Sequence, residues 1–409
     1  MGVMKSMQKN SHLIFASLIG ASMAGAQSNE SLLRKLVEKG IITEAEAAAV
    51  RQDDAAAANE GLPSWVETLS LKGDLRLRFD HVHNSLSDGT GARDRWRYRF
   101  RYGAAANMQN GFKAGFRIST GSNSNAGSTN QTFDGGHGRD SLFLDQAYVG
   151  WKQDQDWDND SGLWFYGGKV PNFEKTGWMV SKALFDGDIT PEGFEAHYST
   201  GGLGIHGGVY FLNGERRDGE SMENLIMAQV TYGFSLSDKT DLDLGLGVYS
   251  VESDGLTRTT EGNGNTAGQG MTPVFADAAI NYSGMSQPLK FYGTWVNNQV
   301  ATTKDTGYIG GIKYGKAKAA GSWEAKLEYR NIEKDATWDE MSDSDFGAVG
   351  VAAANTFSGG TNIKGTVLQG KYQLYSNVQA AVTWFHTKSE DGTDDESNNR
   401  FQVDLIFKF

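Results

Sequence analysis

The sequence predicts an all-β chain: a transmembrane antiparallel β-barrel of about 16 strands, preceded by a short periplasmic helical hairpin. Three observations carry this. Residues 93–103, RDRWRYRFRYG, alternate arginine with aromatic side chains without a break. About sixteen alternating segments follow Leu69, most near or above the 9–11 residues that a tilted membrane strand requires. The connections between them alternate short and long.

The N-terminus comes first. Lys5 and Lys9 precede the apolar run LIFASLIGASMAGA, which ends in Ala24-Gly25-Ala26. A basic start, a short apolar core and small residues at the A-x-A positions read as a secretory signal over 1–26, with the mature chain starting at Gln27. The run is about 14 residues, short of the roughly 20 that a spanning helix needs. No cysteine is present, which excludes disulfides, thiolate metal sites and cysteine nucleophiles. Without Lys5 and Lys9 the formal charge is −14, which argues against nucleic acid as a partner, because phosphate contacts need a basic surface. Fifty-two glycines against five prolines suggest many strands and tight turns.

Residues 27–62 form a separate helical segment and linker. Leu32, Leu33, Leu36 and Val37 recur at helical spacing in ESLLRKLVEKG, and Gly40 stops the helix. TEAEAAAV restarts it, with Thr43 and Glu46 spaced as a capping box. An Ala-rich acidic linker then leads to Pro63, and 63–409 is the barrel.

The expected strands are 68–81, 94–107, 111–121, 142–153, 161–170, 192–200, 203–213 and 223–236. The second half supplies 240–253, 272–284, 287–300, 305–317, 321–333, 363–376, 377–390 and 399–409. No helix period appears after Leu69. Short connections such as NMQNG, LSDKT and GMSQ alternate with long ones at 122–141, 171–191, 253–271 and 334–362. Outer-membrane barrels have short periplasmic turns and longer external loops, and a periplasmic N-terminus puts the short turns where they occur. Connection 153–161 is long for a turn, and 298–305 is short for an external loop.

In a strand, the four arginines Arg95, Arg97, Arg99 and Arg101 share one side, and Trp96, Tyr98, Phe100 and Tyr102 the other. Arginines two apart sit roughly 7 Å from one another, which costs about 0.6 kcal/mol per pair in water and about 12 kcal/mol at the dry limit. The arginine face must be wet or faced by anions. Neighbouring segments repeat the device, with Arg76 and Arg78 in LRLRF and Lys113 and Arg117 in GFKAGFRIS. A barrel satisfies both sides by turning the rings to lipid and the cations to a water-filled lumen; a soluble sheet would reverse the assignment. The C-terminus favours the barrel. NNRFQVDLIFKF sets Phe401, Val403, Leu405, Phe407 and Phe409 against Arg400, Gln402, Asp404 and Lys408, with Ile406 the exception. This terminal phenylalanine strand resembles the end of bacterial outer-membrane proteins, and closure removes the sheet edges.

The connection PNFEKTGWMVSKALFDGDITPEG is about twenty residues, far above the 2–5 of a hairpin loop. It holds Glu174, Lys175, Lys182, Asp186, Asp188 and Glu192, and the expectation is that some of these acids face the basic wall and constrict the lumen. Folding outward, with solvated acids, is the alternative. GGKVPNF followed by LFDGDITPEGFEAHY resembles the segment after the fifth strand in the Putative porin family of Gram-negative bacteria. The hairpin LLRKLVEKGIITEAEA and the opening LRLRF…RWRYRFRYG resemble it too. The chain departs at Phe173, where the family pattern often has proline after the asparagine; 334–362 carries no such resemblance. The resemblance implies an outer-membrane channel for small hydrophilic solutes or ions, without cofactor, and often a homotrimer in contact with membrane lipid.

Two rival functions differ in class. An enzyme inside the barrel would need a site: His81-x-His83 lies at a strand end without a close third metal ligand, and His206 and His386 lack a local serine motif. A structural or adhesive barrel would use Asn/Gly-rich loops such as GSNSNAGSTNQT and TTEGNGNTAGQG.

Overall fold

A computed structural model of the chain describes residues 33, 35–48, 50, 62–84, 92–122, 126–215, 222–252, 265–266, 268–349, 357–391 and 397–409. The expected signal segment 1–26 lies outside the described residues. Among the described residues, those up to Leu69 together with 106–109 form one compact unit, and those of 70–105 and 110–409 form the other.

The first unit contains helical turns at 35–38 and 44–48. The capping box forms: Glu46 Oε2 accepts from the Thr43 amide at 2.7 Å, and the Glu46 amide donates to Thr43 Oγ1 at 3.2 Å. Gly40 ends the first turn at φ 65°, its amide donating to the Val37 carbonyl at 2.8 Å.

The second unit holds all of the barrel but the strand ends 66–69 and 106–108. The strands of the barrel are β1 (Val66–Asn84), β2 (Ala92–Met108), β3 (Phe112–Ser119), β4 (Phe143–Lys152), β5 (Gly162–Lys169), β6 (Glu192–Thr200), β7 (Leu203–Asn213) and β8 (Glu223–Ser237). β9 (Thr240–Glu252), β10 (Pro273–Tyr282), β11 (Leu289–Asn298), β12 (Thr306–Gly315), β13 (Trp323–Ile332), β14 (Ile363–Tyr375), β15 (Val378–Ser389) and β16 (Asn398–Lys408) complete it. Every expected segment becomes a strand, with ends moved by no more than about three residues. Each strand pairs with its chain neighbours, and antiparallel pairing of β1 with β16 closes the ring. Three small pieces were not expected. Gln131–Thr132 pairs with β2, Gly347–Val349 pairs with Phe357–Gly359, and Phe173–Thr176 makes one helical turn. A single turn is too short to show a 3.6-residue period.

The two faces differ as the alternation requires. Leu77, Trp96, Phe116, Leu246, Trp295 and Phe401 are exposed on the outside, while Arg76, Arg78, Arg99, Arg400, Gln402 and Asp404 are buried inside. The outer ring is the apolar band that lipid needs. The inside has two halves. Near β16, β1, β2 and β13 it is charged; along β7–β12 it carries Tyr210, Met227, Tyr249, Phe275, Val296 and Ile309, all buried. In a chain without native cysteine, spin labels at Trp96→Cys and Tyr98→Cys should be quenched by a lipid-soluble reagent, and labels at Arg95→Cys and Arg97→Cys by a water-soluble one; the reverse order would refute this wall geometry.

Phe409 ties the seam. Phe409 and Gly73 exchange backbone hydrogen bonds at 2.6 and 3.1 Å, and the Phe409 ring stacks on Phe100 and Tyr102 at 6.3 Å. A Cβ on Gly73 would sit 2.4 Å from that ring, so only glycine admits it.

Candidate functional site

The arginines of β1 and β2 do not stand bare. Arg99 and Arg101 both reach Asp74, at 2.7 and 2.9 Å. Arg78 lies opposite Asp404 in the β1–β16 register and binds it at 2.7 Å. Arg400 binds Asp80 at 2.7 Å, Arg95 reaches the same carboxylate, and Arg117 pairs with Asp145. Of the eight basic residues expected on this wall, Arg76, Arg97 and Lys113 have no carboxylate partner among the described residues; Lys113 lies 4.3 Å over the Trp157 ring. Anions face most of the wall, and they come from the strands as well as from loops.

The connection after β5, residues 170–191 (the third loop), turns inward. Its base is tied by Asn172, whose side-chain amide donates to the Asp186 and Ile189 carbonyls at 2.9 and 3.1 Å while its oxygen caps the turn at Glu174. Phe173, Trp178, Leu184, Phe185 and Ile189 are buried against the apolar half of the lumen. Phe173 packs on Phe185 and Tyr210 with centroids 4.4 and 5.2 Å apart. Burying each such side chain contributes roughly 1.5–3 kcal/mol, which offsets part of the entropy cost of ordering a loop of about twenty residues. A buried carboxylate, Glu195, fixes the turn from β6: Trp178 Nε1 and Thr176 Oγ1 donate to it at 2.7 and 2.8 Å, and His197 Nε2 lies at 3.0 Å. His197 and His206 meet through their Nδ1 atoms at 2.9 Å.

The expected loop residues divide. Asp188 lies 3.3 Å from Arg101 and 3.7 Å from Arg99, and also accepts from the Thr129 hydroxyl at 3.1 Å. Burial alone would raise its carboxyl, but Arg99, Arg101 and Arg76 outweigh that and hold it well below the usual carboxylate range. The tie therefore lasts down through mildly acidic pH and is lost only as pH falls through that depressed value. Asp186 is buried beside it, and Lys182 lies exposed in the lumen. Glu174 and Lys175 are exposed, and Glu192 pairs with Lys169 at 2.9 Å, away from the arginines.

Sequence reasoning missed a second inward segment, residues 333–349 of the seventh loop. Ala336, Trp338 and Met341 join the same apolar cluster. The Asp186 amide donates to the Met341 carbonyl at 2.6 Å, and the Ser344 amide to Asp186 Oδ2 at 2.9 Å. Asp343 then pairs with Arg330 at 2.8 Å, and Asp345 bridges Arg78 and Arg400, 3.0 Å from each. The string MSDSDF shows the acids, but the arginines they meet, Arg330, Arg78 and Arg400, lie on three different strands. Between the two loops and the barrel wall lies a cavity of about 650 Å³, lined by Arg76, Arg78, Lys182, Asp188, Lys326 and Asp345 among others.

A sequence model of the family described as Putative porin matches residues 81–253 and 274–409, well over half of the chain. The chain belongs to the Putative porin family. Among solved structures, this porin resembles the high-pH structure of Pseudomonas putida OprB, with a TM-score of 0.55 and 11% identity over 83% of this chain and 94% of that one. It is also similar to mutants of the Rh. blastica porin, including E1M, A104W, at a TM-score of 0.47 and 12% identity, over 84% of this chain and 100% of that one. No curated protein sequence matches. The porin is an outer-membrane channel rather than an enzyme.

Proposed function

We propose that this porin passes small hydrophilic solutes and ions through a charge-lined constriction, leaning toward anions. The carrying observation is the cavity of about 650 Å³ bounded by Arg76, Arg78, Arg99 and Arg101 on one side and by Asp186, Asp188, Asp343 and Asp345 on the inward loops. Opposed fixed charges across a narrow passage orient dipolar solutes and filter by size and charge. In this reading Arg95, Arg97, Lys113 and Arg117 extend the basic lining beyond the narrowest part. Residues 1–26 direct export, 27–62 form a periplasmic segment, 63–409 form the barrel, and three copies assemble in the membrane.

The extent of loop packing favours one second reading: a structural or adhesive barrel whose lumen the two loops plug. Single-channel recording in planar bilayers, with a panel of chloride salts, bulky organic ions and sugars, separates the two. The porin reading expects discrete conductance steps and chloride permeating ahead of potassium. A folded, membrane-inserted protein giving no steps would establish the plug.

A further inference from the structure

We infer that Arg76, braced with Arg97 on Asn130, is the docking point for the oxyanion head of a permeating solute, a carboxylate or a phosphate. This deepens the proposed channel function and rests on it. The neighbouring arginines are clamped: Arg78 lies between Asp404 and Asp345, and Arg99 between Asp74 and Asp188. An anion arriving there would have to displace a carboxylate already in place. Arg76 differs. It lines the cavity, is nine-tenths buried, and has no carboxylate within ion-pair distance among the described residues.

Its Nη2 donates instead to the side-chain oxygen of Asn130, a neutral acceptor, and its Nε has no partner at all. Arg97 has the same deficiency. Its Nε is unpartnered, and its Nη2 makes one long bond of 3.4 Å to the Asn130 carbonyl. Asn130 is held by Ser128, whose Oγ accepts from Nδ2 at 3.1 Å. Two guanidinium groups thus converge on one uncharged residue in a partly dry setting.

A buried cation without a counterion is costly, and a hydrogen bond to an anion is roughly twice as strong as one to a neutral acceptor. Exchange of the Asn130 amide oxygen for a solute oxyanion is therefore downhill at Arg76 and uphill at the clamped arginines. The site selects for one anionic group attached to a body small enough for the cavity. Asn130 acts as a placeholder that the solute displaces and that returns when it leaves.

The test titrates inorganic phosphate in one arm and succinate in another against the chloride current of single channels. The wild type should be blocked at millimolar concentrations by at least one of them. Block by phosphate alone assigns a phosphate head, and block by succinate alone a carboxylate. Asn130→Asp places a permanent carboxylate on Arg76 and should raise the half-blocking concentration at least tenfold, as should Arg76→Gln. Asn130→Ala removes the placeholder and should lower it several-fold. Channels that open but are blocked by neither anion overturn the inference, as does block that neither Asn130→Asp nor Arg76→Gln moves. Wild-type protein without any channels overturns the porin reading beneath it.

Discussion

Replacing Phe173 by alanine will unseat the third loop and raise single-channel conductance several-fold, with flickering between levels. Phe173 is fully buried and touches the rings of Phe185 and Tyr210, so it joins the loop both to itself and to the apolar half of the lumen. A Phe→Ala change in a packed core costs about 3–5 kcal/mol. That is a large part of what holds a loop of about twenty residues in place, while the barrel ladder, which does not depend on it, persists. Limited proteolysis supplies a second reading: the exposed pair Glu174–Lys175 should become cleavable in the variant. Unchanged conductance together with unchanged cleavage would mean that Glu195 and the Asn172 base hold the loop without the aromatic anchor.

Neutralising Asp188 and Asp345 together, as Asp188→Asn with Asp345→Asn, will shift selectivity strongly toward anions. Each change leaves its arginines one strand-borne partner: Asp74 for Arg99 and Arg101, Asp404 for Arg78, and Asp80 for Arg400. The wall therefore keeps its fold while the lumen gains two positive charges. A unit charge about 7 Å from a permeating ion is worth about 0.6 kcal/mol in water, or about threefold per ion, and more where the passage is drier. Two such charges, acting oppositely on chloride and potassium, should change the permeability ratio by more than tenfold. Reversal potentials in a salt gradient measure it, and a ratio within twofold of wild type would remove both carboxylates from the conduction path.

The ladder of sixteen strands was legible because strand chemistry is local. Alternation sets the faces, and a residue such as Phe401 reports lipid by its parity with Phe409. The tie of Asp188 to the arginine wall follows from charge and from loop length, both visible in the string. Three things were hidden. The wall's own acids, Asp74 and Asp80, share parity with Arg76 and Arg78 in GDLRLRFDH, but their partners Arg99, Arg101 and Arg400 lie on neighbouring strands, which a local pattern does not show. The apolar inner half was disguised because inward Leu225 and Met227 alternate with outward Ile226 in one continuous apolar run, which has no visible period. The role of Asp345 depends on pairings with Arg78 and Arg400, which lie on strands far from it along the chain and which no local pattern encodes.

The Phe409–Gly73 seal also bears on how the molecule is made. Pairing of β16 with β1 closes the ring, so one edge of β1 has its partner only once β16 has been made. The two strands lie more than three hundred residues apart, so their pairing carries a large loop-closure entropy, which slows such contacts. Meanwhile β1 and the growing tip present open edges that invite pairing with other chains. Biogenesis of such a ring calls for helpers that shield those edges until β1 and β16 meet.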